Sequence, residues 1–194
     1  MIEIGNKQNC CGCAACTQAC PKHCITMVED AEGFLYPDVE LEKCVDCNMC
    51  QRVCPMLNKT DEDAPYTKAY AAYNLDEKER LQSSSGGVFS LLAKQVLREG
   101  GVVYGAAMSE DCTSACHIKA ESPDDLVALR GSKYIQSSTE GVYQQIKNEL
   151  DNRRKVLFSG TPCQIAGLKS LLRTDYENLL CVGVICHGDR KSVV

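Results

Sequence analysis

The chain has 194 residues, of which 44% are hydrophobic and 24% charged, so it is long enough for one ordinary globular domain with a small module beside it. Its formal net charge of -5 disfavours nucleic acid as a partner and suits a basic redox partner. No apolar run approaches the length of a membrane span, and the polar start of the chain lacks the apolar stretch of a secretory signal.

Two runs of cysteine near the start of the chain share the spacing C-x-x-C-x-x-C-x-x-x-C-P. In this pattern the first three thiolates of a run bind one 4Fe-4S cluster, and the fourth binds the cluster of the other run. The spacing therefore predicts two clusters with crossed ligation. The ligands of the first cluster would be Cys10, Cys13, Cys16 and Cys54, and those of the second Cys44, Cys47, Cys50 and Cys20.

Disulfides and zinc are the alternative explanations for these cysteines. A disulfide framework has no reason to repeat one spacing, and a structural zinc site usually pairs two separated C-x-x-C knuckles, so we favour iron-sulfur ligation. Cys11 and Cys24 lie outside the pattern, and we interpret them as small, partly buried side chains or spare thiols. So many reduced thiols indicate a reducing compartment, and we expect a cytoplasmic protein.

The cysteine runs lie in a first domain, 1–57, which resembles the two-cluster ferredoxin module of bacteria. Short strands are expected at 25–27 and 35–36. This domain has few large apolar residues, so its folding should depend on its metal. The polar, acidic stretch 58–65 is typical of a linker.

A second domain, 66–188, alternates short apolar strands with amphipathic helices. The pattern predicts strands at 69–73, 102–107, 155–159 and 179–186, and helices at 87–98, 139–152 and 162–172. Continuous apolar strands separated by helices require a sheet covered on both faces, so the strands should be largely parallel. The predicted fold class is thus an α+β ferredoxin-like module followed by an α/β domain with a largely parallel sheet.

Two cysteines of the second domain occupy positions that favour chemistry. Thr161 directly precedes a proline, and Gln164 lies three residues after Thr161, which predicts a helix that begins with a capping box. Cys163 would lie in the first turn, where free amides and the helix macrodipole favour a thiolate, so it is a metal ligand, a redox nucleophile or a structural residue. Cys186 ends the next strand, at the sheet edge where ligands bind.

Two loops have the composition of a cofactor site. The stretch 83–87 (Ser-Ser-Ser-Gly-Gly) precedes a helix, and its amides could hold a phosphate or simply cap that helix. The stretch 130–137 (Arg-Gly-Ser-Lys-Tyr-Ile-Gln-Ser) could grip a flavin, whose reduced form a nearby lysine would stabilise, or could be a solvated loop. Cys112, Cys116 and His117 lack an evident fourth ligand, and we interpret them as structural or incidental.

Four motifs together carry a family resemblance: 84–87, 130–137, 158–168 (Phe-Ser-Gly-Thr-Pro-Cys-Gln-Ile-Ala-Gly-Leu) and 184–188 (Val-Ile-Cys-His-Gly). They resemble the coenzyme F420 hydrogenase/dehydrogenase beta-subunit family, whose members are FAD-containing iron-sulfur oxidoreductases. Some members carry a two-cluster ferredoxin module at the amino end. The resemblance spans most of the second domain.

The resemblance implies a relay in which FAD exchanges a hydride or an electron pair with an organic substrate or coenzyme F420. The clusters would exchange single electrons with a ferredoxin or a partner subunit. Residues expected at the FAD site are Ser84, Ser85, Gly86, Gly87, Lys133, Tyr134, Gln136, Ser137, Thr161 and Gln164. Cys163 and Cys186 would help to ligate a third 4Fe-4S cluster. His187 would donate a proton or form a hydrogen bond within its loop.

The family continues beyond the Cys-His-Gly motif into a region with a C-x-x-C pair. We therefore interpret the second domain as truncated, and 189–194 as a tail foreign to the natural protein. Two other functions stay open. An electron carrier with a non-catalytic docking domain would bind clusters but no flavin, and a redox sensor would depend on Cys163.

Overall fold

The computed structural model describes residues 1–58 and 68–186. We call 1–58 the cysteine module and 68–186 the sheet domain. The interpretations of 58–65 as a linker, of His187 as a proton donor and of 189–194 as a foreign tail fall wholly or mostly outside the described residues. None of the helices in the described ranges is both long and apolar enough to cross a bilayer.

The cysteine module is built from two similar halves. A 3-10 turn (Lys7–Asn9) precedes α1 (Ala15–Ala19), β1 (Ile25–Glu29), β2 (Leu35–Val39) and α2 (Met49–Arg52). Strands β1 and β2 are antiparallel, which confirms the two short strands expected here. Ala14 before α1 and Asn48 before α2 share the left-handed conformation, with φ of 57° at both. The repeat of the cysteine spacing is therefore also a repeat of backbone geometry.

The sheet domain contains five helices and five strands in the described range. In chain order these are α3 (Glu77–Leu81), α4 (Val88–Arg98), β3 (Val102–Met108), β4 (Ala115–Ala120), α5 (Leu126–Leu129), β5 (Ser137–Ser138), α6 (Val142–Asp151), β6 (Val156–Gly160), α7 (Pro162–Leu172) and β7 (Leu179–Gly183). The strand order is β5-β4-β3-β6-β7. Only the β3 and β4 pairing is antiparallel, so the expectation of a largely parallel sheet is confirmed.

Two predicted strands differ from the structure, and two observed strands, β4 and β5, were not predicted. The predicted strand at 69–73 is wrong, because these residues form no regular structure and Tyr70 is 81% exposed. The sequence Ala-Tyr-Ala-Ala-Tyr imitates a half-buried strand, but no strand within residues 1–58 and 68–186 pairs with it. Strand β4 was missed because its inward positions are small or polar, among them Ala115 and His117, and so lack an apolar signal. Strand β7 ends at Gly183, three residues before the predicted end.

Both faces of the sheet are covered. On one face α4 and α5 pack through Val96 and Leu126 against Val103 and Leu157. On the other face α6 and α7 enclose a larger core, whose fully buried members include Tyr104, Tyr143, Ile146, Phe158 and Leu168. Burial of each such side chain contributes roughly 2 kcal/mol. Cys13, Ala15 and Val53 belong to this second core, so the cysteine module packs directly on the sheet domain.

Candidate cluster and cofactor sites

The eight cysteines of the two runs surround two separate cavities. One cavity is bordered by Cys10, Cys13, Cys16 and Cys54, which we call the first cage. The other is bordered by Cys20, Cys44, Cys47 and Cys50, which we call the second cage. Each cage takes three thiols from one run and its fourth from the other, as crossed ligation requires. Four thiols around a cavity are a donor set that fits a 4Fe-4S cluster.

The cysteines of the two cages differ in exposure, and their binding of iron requires deprotonated thiols. Cys13, Cys20 and Cys50 are buried, whereas Cys47 of the second cage is exposed. Burial raises the pKa of Cys16 to about 12, so iron must displace its proton on binding. The backbone N–H of Ile2 donates a hydrogen bond to Cys50 Sγ at 3.1 Å. Hydrogen bonds to ligand sulfur are one of the ways in which a protein tunes a cluster.

Two cysteines outside the pattern also border the cages. Cys24 is buried, and its Sγ lies 3.4 Å from Cys20 Sγ. Cys11 borders the first cage and forms side-chain hydrogen bonds with Cys13 and with Cys163 of the sheet domain. The hydrogen bond with Cys13 is the main cause that raises the pKa of Cys11 to about 12. The burial of Cys24 and the partial burial of Cys11 fit their interpretation as small packed side chains.

Helix α1 fixes the cysteine module on the start of α6. Gln18 accepts a hydrogen bond from the Tyr143 backbone at 2.8 Å and donates one to the Thr139 carbonyl at 3.0 Å. Thr139 Oγ1 donates to the Cys13 carbonyl at 3.1 Å. These contacts join ligand-bearing backbone to the sheet domain and so place the first cage against it.

Gln136, one of the residues expected at the FAD site, also contacts the cysteine module. Its Oε1 accepts a hydrogen bond from the Leu35 backbone at 3.5 Å. A Cβ atom on Gly12 would collide with the Gln136 amide, and Gly12 has a φ of +62°, so this position favours glycine for two reasons.

A cavity of about 440 Å³ opens in the sheet domain at the carboxyl ends of β6 and β7. Its volume falls in the range of small-molecule sites. The residues expected at the FAD site that border it are Ser84, Ser85, Gly87, Lys133, Tyr134, Ser137, Thr161 and Gln164, and Cys186 borders it as well. Gly86, Gln136 and Cys163 are not among its lining residues. Fold and geometry thus bring together four loops that are distant in sequence.

A buried polar network holds the two cofactor-like loops together. Glu79 is 9% exposed and forms ion pairs with Lys94 and with Arg130, the latter at 3.3 Å. The hydrogen bond from Lys94 is the main cause that lowers the pKa of Glu79. Asn74 donates to Glu79 at 3.0 Å, and its backbone N–H donates to the Gly86 carbonyl. The network therefore links the 83–87 loop to the 130–137 loop across the cavity rim.

The start of helix α4 and the Lys133 ammonium group place positive charge beside the cavity. Gly87 precedes α4 with a φ of +73°, which a glycine adopts without strain. The free amides at the start of this helix form a site suited to an anion. Lys133 Nζ donates to the carbonyls of Ala128 and Arg130 at 3.0 and 2.7 Å, and burial lowers its pKa.

Helix α7 begins with the predicted capping box at the cavity wall. The Thr161 backbone N–H donates to Gln164 Oε1 at 2.9 Å, which confirms the helix start expected from the sequence. Gln164 Nε2 donates to Ser137 Oγ at 3.0 Å. Thr161 Oγ1 lies 3.1 Å from Cys163 Sγ. Cys163 thus lies in the first turn as predicted, at the boundary with the cysteine module.

His117 is a cavity residue that the sequence interpretation missed. It is 6% exposed, borders the cavity, and stacks on Phe158 with ring centroids 5.2 Å apart. Its Nε2 lies 3.0 Å from the Ser159 carbonyl, and its Nδ1 lies 3.3 Å from Ser137 Oγ. Burial lowers its pKa, so the ring is neutral near pH 7. No local sequence signal locates it, because its inward position in β4, opposite Ala106, follows from strand pairing.

Cys112 and Cys116, the neighbours of His117 in sequence, are exposed. Within residues 1–58 and 68–186, no three Cys, His, Asp or Glu side chains converge as ligands of a single metal ion. The interpretation of the two cysteines as incidental remains a prediction.

The cysteine cages and the fold define the class: a two-cluster iron-sulfur protein joined to an α/β domain. Residues 9–58 match the model of the 4Fe-4S dicluster domain. Residues 69–143 and 153–192 match the models of the N-terminal and C-terminal parts of the coenzyme F420 hydrogenase/dehydrogenase beta subunit. The chain belongs to the coenzyme F420 hydrogenase/dehydrogenase beta-subunit family and carries a 4Fe-4S dicluster domain.

Among solved structures, a chain of the xenon-derivatised F420-reducing NiFe hydrogenase complex from Methanosarcina barkeri has a similar fold. The TM-score is 0.51 at 20% sequence identity, and the similarity covers 66% of this chain and 48% of that one. This chain therefore spans about half the length of the chain it matches. A comparison with curated proteins found no match.

Proposed function

We propose that the protein is an FAD-dependent oxidoreductase whose two 4Fe-4S clusters exchange electrons with FAD held in the cavity. The substrate would be an organic molecule or coenzyme F420. The observation that carries this proposal is the cavity itself, which is bordered by eight of the ten residues expected at an FAD site. Family membership supports an oxidoreductase role.

The residues that line the cavity suit the phosphates and the ring system of flavin adenine dinucleotide. Hydroxyls of Ser84 and Ser85 and the amides at the start of α4 suit phosphate oxygens. Lys133 suits the part of a flavin that gains negative charge on reduction. Tyr134, 75% exposed, lies at the mouth and offers a ring for stacking. When bound, FAD would convert between the single electrons of clusters and the electron pair of an organic substrate.

The two cages have different positions in the proposed relay. Cys13 of the first cage abuts Gly167 in α7, and Gln164, one turn earlier in the same helix, borders the cavity. Tyr143 OH donates to the Gln164 carbonyl at 3.0 Å and packs the same turn. The first cluster would therefore be the one that serves the flavin. The second cage, with exposed Cys47, would face a ferredoxin or a partner subunit.

Cys163 and Cys186 remain candidate ligands of a third cluster. Gly160 and Gly183 pair in the register of β6 and β7, and each cysteine follows its glycine by three residues. Both cysteines therefore lie beyond the same edge of the sheet.

Because cluster assembly needs reduced thiols, we propose that the protein is cytoplasmic.

Anaerobic reconstitution of the full chain with iron, sulfide and FAD tests the proposed function. We expect about eight irons per chain from the two cages, together with bound flavin. A chain that takes up its iron but no FAD would be an electron carrier with a docking domain, and the flavin proposal would fail. A chain that stays free of iron would overturn the cluster assignment.

A further inference from the structure

Among residues 1–58 and 68–186, one imidazole borders the cavity, that of His117. Of the other ionisable side chains there, Arg130 is paired with Glu79 and Lys133 is held by two carbonyls. Tyr134 and Cys186 border the cavity as well, and a thiol ordinarily titrates above neutrality. Arginine, lysine and tyrosine ordinarily titrate far above neutrality, whereas histidine titrates near it. Reactions that move a hydride or an electron pair usually also move a proton. His117 is therefore the cavity residue whose chemistry suits proton exchange near pH 7.

The hydrogen bonds of His117 define how a proton would travel. Neutral His117 donates from Nε2 to the Ser159 carbonyl, because a carbonyl can only accept. Its Nδ1 then accepts from the Ser137 hydroxyl, which lies 3.3 Å away. The same hydroxyl oxygen accepts from Gln164 Nε2 at 3.0 Å. With two of its hydrogen-bonding positions occupied in this way, Ser137 presents a lone pair to the cavity.

Protonation of His117 reverses this arrangement. Imidazolium Nδ1–H becomes a donor to Ser137 Oγ, and the Ser137 hydrogen must turn away from the ring. Gln164 still donates to the same oxygen, so the cavity is the open direction for that hydrogen. Ser137 would thus accept from a cavity molecule when His117 is neutral and donate to it when His117 is charged.

We propose that His117 and Ser137 form a proton relay that matches the charge of a molecule bound in the cavity to the protonation of His117. The inference rests on the proposed function, with FAD as the bound molecule. In one transfer, Nδ1–H of the imidazolium would pass its proton to Ser137 Oγ as Ser137 releases its hydroxyl proton toward the ligand. His117 would become neutral and one proton would reach the ligand, so charge and atoms balance. The ring is neutral near pH 7, so it would take this proton from solvent as FAD gains negative charge, and reduction would take up one additional proton. Ser137 is the residue that touches the ligand, and His117 acts through it.

The charged side chains around His117 are engaged elsewhere, whereas the buried Tyr104 hydroxyl has no hydrogen-bond partner among the described residues. On the elements that pack near His117, the charged and titratable groups are Tyr104 of β3, Lys119 of β4, Arg130 and Lys133 of the 130–137 loop, Tyr143 of α6 and Cys163 of α7. Lys119 pairs with Glu149 at 2.8 Å, and Tyr143 donates to Gln164. The pKa of His117 is lowered by burial and partly restored by the Ser159 and Ser138 backbones. The charge of a molecule in the cavity would add to these causes.

The test is the pH dependence of the midpoint potential of FAD bound to the full chain with assembled clusters. Flavin absorption is followed anaerobically, after subtraction of a sample that has clusters but no FAD. Variants are His117→Gln, which keeps a donor toward the Ser159 carbonyl but cannot titrate, and Ser137→Ala. Cys116→Ala is the matched control, since Cys116 neighbours His117 in β4 and is exposed. A FAD dissociation constant is measured for each variant by fluorescence.

In the wild type we expect reduction of FAD to take up an additional proton, seen as a steeper fall of the potential with pH. This steeper part should vanish in both His117→Gln and Ser137→Ala and persist in Cys116→Ala. Equal slopes in wild type and His117→Gln would overturn the relay while leaving the flavin proposal intact. Loss in His117→Gln but not in Ser137→Ala would also overturn it, because the ring would then act without the hydroxyl. A wild type that binds no FAD would overturn both proposals.

Discussion

A Cβ atom built on Gly167 would lie 3.0 Å from Cys13 Sγ, so helix α7 meets the first cage at a residue without a side chain. The same atom would lie 3.4 Å from the hydroxyl of Tyr143. Backbone of α7 thus fills the space between a cluster ligand and the cavity wall. The contact makes the cysteine module and the sheet domain a single packed unit at this point.

Substitution of Gly167 should disturb this contact. In Gly167→Ala the new methyl group must displace Cys13 or α7, and such overpacking costs about 1–3 kcal/mol. We expect a lower midpoint of anaerobic thermal unfolding and slower electron transfer between the first cluster and the cavity. Gly5→Ala is the control, because a Cβ there meets no atom within 4 Å. Equal unfolding midpoints for the two variants would contradict the close contact.

Crossed ligation predicts that removal of the fourth cysteine of one run abolishes the cluster of the other run. Cys54→Ala removes a ligand from the first cage although Cys54 belongs to the second run. We expect iron to fall from about eight to about four per chain, with loss of flavin reduction by an external one-electron donor. Cys20→Ala should lose a similar amount of iron from the second cage.

The two variants should differ in which cluster remains, and electron paramagnetic resonance of the reduced protein can compare them. Cys112→Ala is the control, since Cys112 is exposed and borders neither cage. Cys13→Ala should lose the first cluster, because Cys13 borders the first cage. If Cys54→Ala retained that same cluster, the crossed arrangement would be wrong.

Removal of the Glu79 charge should destabilise the loops at the cavity rim. Glu79→Gln leaves Arg130 and Lys94 without their shared carboxylate, and we expect a loss on the order of 2 kcal/mol. This is below the value for a fully buried pair because Lys94 is partly exposed. Denaturant unfolding at neutral pH measures the difference. Glu99→Gln removes a carboxylate from an exposed pair with Lys155, and it should have a much smaller effect because water screens exposed pairs.

The effect of Glu79 should depend on pH in one direction. The folded-state pKa of this carboxyl is lowered, so its stabilising contribution is complete above the unfolded pKa of about 4.5 and is lost as pH falls through the folded value. The difference in free energy of unfolding between wild type and Glu79→Gln should therefore be constant from about pH 8 to about pH 5. A difference that already shrinks between these limits would show that another group titrates with it.

Loss of the Lys133 charge should weaken FAD binding. A hydrogen bond to a charged group contributes about 1.5–3 kcal/mol, so Lys133→Met should raise the dissociation constant of FAD by roughly tenfold to a hundredfold. The FAD potential should also fall, because the reduced form loses a stabilising cation. Flavin fluorescence and anaerobic redox titration measure the two effects. Lys147→Met, which breaks an exposed pair with Asp151 on α6, should leave both unchanged.

Local sequence patterns predicted the cysteine cages and the start of helix α7. The cysteine spacing predicted which four thiols surround each cavity, because a cluster imposes its own geometry on nearby residues. The capping box at Thr161 and the helix over Pro162–Leu172 were also predicted, since helix starts depend on adjacent residues. Periodicity failed at β4, where an inward histidine carries no apolar signal.

Amino-acid order alone predicted which thiols border each cage and most of the alternation of helix and strand, because spacing and periodicity are properties of neighbouring residues. Only tertiary packing decided that Cys11 meets Cys163, that Gln136 turns toward the cysteine module and that His117 faces Ser137. These pairs are separated by 20 to 152 residues along the chain. Such contacts follow from the order of strands in the sheet and the docking of one module on another, and no local pattern records them.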